Sequence, residues 1–165
     1  MYKRQEYTIP TANSFPYDIT TGPDGALWFT EFSSNQIGRV TTSGAFTEYP
    51  IPTANSQLWG ITTGPDGALW FAEQSKIGRV TTSGAFTEYP ITAGSGPFGI
   101  TTGADGALWF AEFNTGKIGR VSTSGAFTEY PIPTASSRPI GITTGPDGAL
   151  WFTENSGNKI GKITP

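Results

Sequence analysis

Gly60–Phe71 reads Gly-Ile-Thr-Thr-Gly-Pro-Asp-Gly-Ala-Leu-Trp-Phe, and the same twelve residues return at Gly141–Phe152. Near-copies precede and separate the two strings. The core Asp-Gly-Ala-Leu-Trp-Phe begins at Asp24, Asp66, Asp105 and Asp147, in steps of 42, 39 and 42 residues. A fixed period of about 40 residues marks a repeat architecture whose unit cannot bury its faces alone. The first question is therefore how many units close into one body.

The second unit reads as strands. Ile61-Thr62-Thr63 is a short β-branched strand. Gly64-Pro65-Asp66-Gly67 is a tight turn, in which Pro pre-sets φ and Gly takes a positive φ. Ala68–Glu73 is a second strand whose large residues fall on both sides, so both faces are expected to be buried. Lys76–Thr81 is the third strand, Ser83-Gly84 turns the chain, and Ala85–Pro90 is the fourth, its Pro suited to an edge. No stretch has helical periodicity. Length changes fall in loops: this unit is two residues shorter between Glu73 and Ile77 and one shorter between Tyr89 and Phe98.

Four antiparallel strands in about 40 residues describe a β-propeller blade. The chain is expected to be all-β, a β-propeller of four-stranded antiparallel blades, four blades in one domain over residues 1–165. The blades fall at 15–52, 57–92, 97–133 and 138–165, the last completed by an outer strand at 5–10. The ends carry this reading. Gln5-Glu6-Tyr7-Thr8-Ile9-Pro10 aligns with Thr47-Glu48-Tyr49-Pro50-Ile51-Pro52, a fourth strand without the first three. Lys159–Thr164 is a third strand without a fourth. Closure by the N-terminal strand would remove the free edge. Four units closing alone need about 90° between blades, and two chains joined head to tail need about 45°. The smaller splay keeps the Trp and Phe faces in contact, so an eight-bladed homodimer is expected ahead of a four-bladed monomer.

The 22 Gly and 13 Pro sit at fixed places in each unit, unlike a disordered low-complexity tract. A net charge of −3 with no basic stripe excludes a nucleic-acid footprint. No run of apolar residues is long enough for a transmembrane helix and no signal-peptide core is present. A soluble chain is expected, with no membrane partner and no compartment assigned. Cys is absent, which excludes disulfides and thiolate ligands, and His is absent too.

Ile-Thr-Thr-Gly-Pro-Asp-Gly-Ala-Leu-Trp-Phe-Thr-Glu, followed by an Ile-Gly-Arg-Val strand and Phe-Thr-Glu-Tyr-Pro, resembles the repeats of the streptogramin lyase family, the virginiamycin B lyases. The resemblance covers residues 5–165. It implies a seven-bladed propeller and a magnesium-dependent carbon–oxygen lyase that opens streptogramin B-type cyclic depsipeptides by elimination at an ester. Seven blades of this size take about 290 residues, so the chain is about three blades short. Met1-Tyr2-Lys3-Arg4-Gln5 breaks the repeat, with Lys3-Arg4 where other units have Ala-Phe. Tyr-Lys-Arg-Gln can be encoded by TATAAGAGACAG, the end of a common transposon-library sequencing adapter. The chain is therefore expected to come from a metagenomic reading frame clipped at its 5′ end.

The resemblance also implies a metal-binding Glu at the end of the Trp-Phe-x-Glu strand and a catalytic His fourteen residues before it. The Glu positions here are Glu31, Glu73, Glu112 and Glu154; the His positions are Tyr17, Trp59, Phe98 and Ile140. All four Glu are present and no His is. Tyr17 cannot act as a base near neutral pH without a large pKa shift. No catalytic residue is assigned and no cofactor is required, Mg²⁺ being implied by the resemblance alone. A ring of carboxylates could bind Mg²⁺ or Ca²⁺ through oxygen. The alternative, favoured by a Glu in every unit, is that each caps turn amides or pairs with Arg39, Arg79, Arg120 or Lys162. Tyr17, Trp59, Phe98 and Ile140 vary on a constant frame, as a small-molecule binding surface would. Trp28, Trp70, Trp109 and Trp151 read as inter-blade core and the four Asp as turn residues. Gly94–Gly99 matches G-x-G-x-x-G, but a strand follows it, so it is no dinucleotide site.

The leading expectation is a non-catalytic scaffold or ligand-binding propeller that self-assembles. The alternative is a magnesium-dependent lyase, or a fragment of one whose missing blades carry the His.

Overall fold

The Gly-Pro-Asp-Gly turn organises every blade. In a computed structural model, which describes residues 3–165, Gly67 takes φ +71° and lets the chain reverse between two strands. Asp66 Oδ1 accepts a hydrogen bond from Trp70 Nε1 at 2.9 Å, and Asp66 Oδ2 accepts one from Arg79 Nε at 2.6 Å. The Arg79 guanidinium lies 5.9 Å from the Trp70 ring centre. One aspartate therefore ties the turn to the second and third strands. Met1 and Tyr2, which carry part of the expectation about the chain's start, lie outside the described residues.

Fifteen strands form four antiparallel sheets, and no helix is present among the described residues. Blade 1 holds β1 (Pro16–Thr21), β2 (Leu27–Glu31), β3 (Gln36–Val40) and β4 (Phe46–Pro50). Blade 2 holds β5 (Ile61–Thr63), β6 (Leu69–Glu73), β7 (Lys76–Val80) and β8 (Phe86–Pro90). Blade 3 holds β9 (Pro97–Thr102), β10 (Leu108–Glu112), β11 (Lys117–Val121) and β12 (Phe127–Pro131). Blade 4 stops at three: β13 (Pro139–Thr144), β14 (Leu150–Glu154) and β15 (Lys159–Ile163). This is the expected all-β propeller blade, repeated in strand order.

Blades bury each other's faces. Ala26, Trp28 and Ile37 of blade 1 form one core with Ile61, Leu69, Phe71 and Val80 of blade 2. Ala68, Trp70 and Ile77 repeat the contact with Ile100, Leu108, Phe110 and Val121. Ala107, Trp109 and Ile118 repeat it with Leu150 and Phe152. Alternate residues of each second strand thus serve two different cores, which is why that strand is apolar on both sides. At the inner rim Thr63, Thr102 and Thr144 each donate Oγ1–H to the carbonyl of Thr21, Thr63 and Thr102 in turn, at 2.5 to 2.8 Å.

The expected completion of blade 4 by the chain's own residues 5–10 is not made. Gln5–Pro10 forms no strand, and β15 ends a three-stranded sheet. Inner strands pack in the order β1, β5, β9, β13 and the row stops there. Residues 5–10 lie instead against the outside of blade 1. Thr11 N and Oγ1 donate to Glu48 at 3.0 and 2.9 Å, and Tyr7 packs on Gly44.

Candidate functional site

Three of the four variable positions meet in one row across the blades. Tyr17 meets Trp59 edge-on with ring centres 5.0 Å apart, and Trp59 stacks on Phe98 at 4.3 Å and 22°. Two further rings flank the row: Phe32 lies 4.9 Å from Trp59 and Phe113 5.1 Å from Phe98. The Arg138 guanidinium caps Phe113 at 5.5 Å. Ile140 follows Phe98 through the backbone and adds no ring.

Glycine makes the row possible. Gly60 N donates to Phe98 O at 3.0 Å, and a Cβ on Gly60 would lie 2.7 Å from that oxygen. A Cβ on Gly99 would lie 2.6 Å from Ile140 O. Only a residue without a side chain lets adjacent inner strands approach this closely. Two side chains lock the register. Thr30 Oγ1 donates to Trp59 O at 2.8 Å, and Asp18 Oδ2 accepts from Ile61 N at 2.9 Å. The rings are half-buried except Tyr17, which is exposed, so the track offers π faces to a ligand with its own apolar or aromatic surface. Phe32, Phe113 and Arg138 were not singled out from sequence. The signal for the two Phe was a variable residue directly after the constant Glu, Phe in units one and three but Gln74 and Asn155 in the others; Arg138 had none.

Glu31, Glu112 and Glu154 stand opposite Pro16, Pro97 and Pro139 in register, at the same end of the blades as the track. All four carboxylates, Glu73 included, are buried. Glu31, Glu73 and Glu112 turn into their own blades over a glycine of the third strand, whereas Glu154 lies by Gly157 in the turn before it. A Cβ on Gly38, Gly78 or Gly119 would lie 2.7, 2.6 or 2.9 Å from an oxygen of Glu31, Glu73 or Glu112. Those glycines stand opposite Glu48, Glu88 and Glu129 on the fourth strand. Each complete blade therefore holds two carboxyl groups near one another.

Their charges divide unequally. Burial pushes Glu73 and Glu112 up to about 7, with Glu88 and Glu129 adding to the rise. Burial also raises Glu31, with Glu48 adding to it. Burial opposes ionisation of Glu88 and Glu129 as well, but lysine outweighs it and holds both below the usual carboxylate range. Lys76 Nζ donates to Glu88 at 2.8 Å and Lys117 Nζ to Glu129 at 2.6 Å. Both oxygens of Glu73 lack a hydrogen-bond partner, a state suited to a neutral carboxyl and costly for a carboxylate.

The four glutamates do not converge. Among the described residues no group of three or more His, Cys, Asp or Glu is placed to hold a metal ion, so this set does not fit a shared Mg²⁺ or Ca²⁺. Pairing with the third-strand cations is also absent. Arg39, Arg79, Arg120 and Lys162 go to Asp24, Asp66, Asp105 and Asp147 at 2.6 to 2.8 Å. The turn aspartates already lie beside those cations, whereas the glutamates point inward at the far end of the strand. Among the described residues no helix is long and apolar enough to cross a membrane.

The family model described as the Virginiamycin B lyase family matches residues 2–165. A solved structure of a catalytically inactive His-to-Ala virginiamycin B lyase from Staphylococcus aureus with quinupristin is 52% identical, with a TM-score of 0.95 over 97% of this chain and 56% of that one. A streptogramin B lyase structure is 44% identical, with a TM-score of 0.94 over 97% of this chain and 55% of that one. A curated virginiamycin B lyase from Bacillus licheniformis is 49% identical over 39 residues, 24% of this chain and 13% of the relative. The chain thus spans little more than half the length of the solved lyases it matches.

Proposed function

The chain belongs to the virginiamycin B lyase family, and on that premise we propose that it is a ligand-binding propeller without lyase activity of its own. The observation that carries this reading is the track: the positions where the resemblance places a catalytic His hold Tyr17, Trp59, Phe98 and Ile140, and the three rings among them meet in one row. Elimination needs a base beside the substrate carbonyl and a group to stabilise the developing charge. The track supplies rings, and the four buried glutamates are enclosed by their own blades. Recognition is therefore retained while the chemistry is not. The ligand class is the cyclic depsipeptide that the family resemblance implies, and the Staphylococcus aureus relative was solved with quinupristin.

Quinupristin is the probe. Trp59 is the one tryptophan outside the repeat, so saturable quenching of intrinsic fluorescence is expected. Trp59→Ala should weaken binding about tenfold or more with an unchanged circular dichroism spectrum. Quenching that persists unaltered in Trp59→Ala would overturn the assignment.

The identity of 52% to a lyase favours a second reading. In it the chain is a magnesium-dependent lyase, or a piece of one, that opens streptogramin B-type depsipeptides. Elimination leaves the mass of the product unchanged. Chromatographic appearance of a linear isomer in millimolar Mg²⁺ would favour this second reading over the first.

A further inference from the structure

The two ends of the blade row are halves of an interface that the chain already builds three times. Ile37, Ile77 and Ile118 are 0 to 1% exposed, whereas Ile160, at the same place in blade 4, is 65% exposed. On the opposite end Ile61 and Ile100 are buried, whereas Ile19 is 59% exposed. Ile19 borders an apolar hollow of about 350 Å³ lined by Tyr7, Ile9, Phe29, Val40 and Phe46. The corresponding surface of blade 2 receives Trp28 and Ile37 of blade 1. The hollow is thus a socket for Trp151 and Ile160.

The N-terminal segment is already held where the outer strand of a preceding blade belongs. Tyr7 packs on Gly44 as Tyr49 packs on Gly84 and Tyr89 on Gly125. Thr11 donates twice to Glu48 as Thr53 donates twice to Glu88. Among the described residues no third strand lies beside the segment and no fourth beside β15.

Charge completes the match. In blade 2 the fourth-strand Glu88 is clasped by Lys76 and Thr53. In blade 4 the matching cation, Lys159, reaches only the matching threonine, Thr134, at 3.0 Å. Glu6 occupies the aligned glutamate position, and its ion-pair partner is the neighbouring, exposed Arg4. The register of β3 on β4 sets Gly38 opposite Glu48 and Ile37 opposite Tyr49. Carried to the open edge, it sets Gly161 opposite Glu6 and Ile160 opposite Tyr7. Glu6 then falls between Lys159 and Thr134.

We infer that two copies of this chain join head to tail, β15 of each pairing antiparallel with Gln5–Pro10 of the other, to close an eight-bladed ring. The contact is heterologous and closes after two copies, leaving no free edge. Eight blades need about 45° per step, a small relaxation from roughly 51° in a seven-bladed ring. The pairing depends on the blade repeat alone and stands apart from the ligand reading.

Absolute mass by light scattering tests it at about 100 μM chain. The expected value is about 35 kDa, twice the chain mass of 17.5 kDa. Ile160→Glu, exposed in the single chain, should weaken pairing about 100-fold and return 17.5 kDa with an unchanged circular dichroism spectrum. Glu6→Lys and Lys159→Glu should each weaken the pair, and the double exchange should restore it, which a merely unfolded variant cannot do. A wild-type mass of 17.5 kDa would mean that the chain stays single. A ladder of higher masses would mean an open filament. Either result overturns the closed pair, as would single charge reversals that leave 35 kDa intact. Quinupristin titration of the Ile160→Glu monomer reads the track separately, so failure of one proposal is not failure of the other.

Discussion

Residues 60–71 and 141–152 are the same twelve amino acids in two environments. Their internal chemistry is the same: Trp70 and Trp151 donate to Asp66 and Asp147 at 2.9 and 3.0 Å. The surroundings differ. Trp70 is 0% exposed and stacks on Tyr89 at 5.3 Å, whereas Trp151 is 38% exposed and has no fourth strand behind it. Gly60 faces a neighbouring carbonyl that Gly141 lacks. Turn and strand are thus written in the twelve residues, while burial is supplied by the next blade.

Paired substitutions break that comparison most sharply at tryptophan. Trp70→Ala should lower unfolding free energy by about 3–5 kcal/mol. Trp151→Ala should lower it by about 1 kcal/mol, both measured by denaturant unfolding in the Ile160→Glu background, which keeps chains apart. Equal losses would mean that neighbouring blades contribute little.

The next effect is in pH and belongs to the covered blades. Glu73 and Glu112 have ordinary values of 4.5 and sit near 7 when folded. The native chain therefore holds protons that the unfolded chain releases. That stabilisation is complete below pH 4.5 and is lost as pH rises through about 7. The loss is on the order of 3 kcal/mol per glutamate. The turn aspartates act oppositely. Burial works against Asp66, but hydrogen bonds from Trp70 and Arg79 hold it low, so its share is lost as pH falls through its lowered value. Melting temperature should climb from about pH 7 to about pH 5 and drop below about pH 4. Glu73→Gln should raise it at about pH 8 and flatten the limb between about pH 5 and pH 7. A flat profile between about pH 5 and pH 7 would show that the buried carboxyls titrate freely.

Smaller differences sharpen the contrast. Gly60→Ala should cost about 1–3 kcal/mol, because the new Cβ meets the Phe98 carbonyl, and Gly141→Ala less than about 0.5 kcal/mol. Asp66→Asn should cost up to about 1 kcal/mol and Asp147→Asn less, since the Asp147–Lys162 pair is more exposed. Thermal melts of the four variants would settle both orders.

Most of the fold was legible because the repeat states it four times. The strands expected in the second unit match β5 to β8 within one residue at each end. The inter-blade role of tryptophan was legible too, since Trp and Phe alternate on one strand. The fate of the glutamates was not. A Glu at a strand end looks like a turn or surface residue, and its inward path depends on a glycine of the neighbouring strand, two residues off in register. That the third-strand cations go to the turn aspartates was hidden for the same reason: proximity across a sheet is set by register, which sequence spacing does not show. The row of Tyr17, Trp59 and Phe98 was visible as variation on a fixed frame. Phe32 and Phe113 join it only once the blades are side by side.

The twinned strings have a kinetic consequence. Any exposed Trp face of one blade fits the Phe face of any other, so a docking mistake during folding resembles success locally. A chain of interchangeable parts gives its blades no unique address. Refolding should therefore slow and branch as concentration rises, with blades captured from the wrong molecule. The loops of unequal length and the odd side chains at positions 17, 59, 98 and 140 are then more than decoration: they are the labels that let each blade find its own place in line.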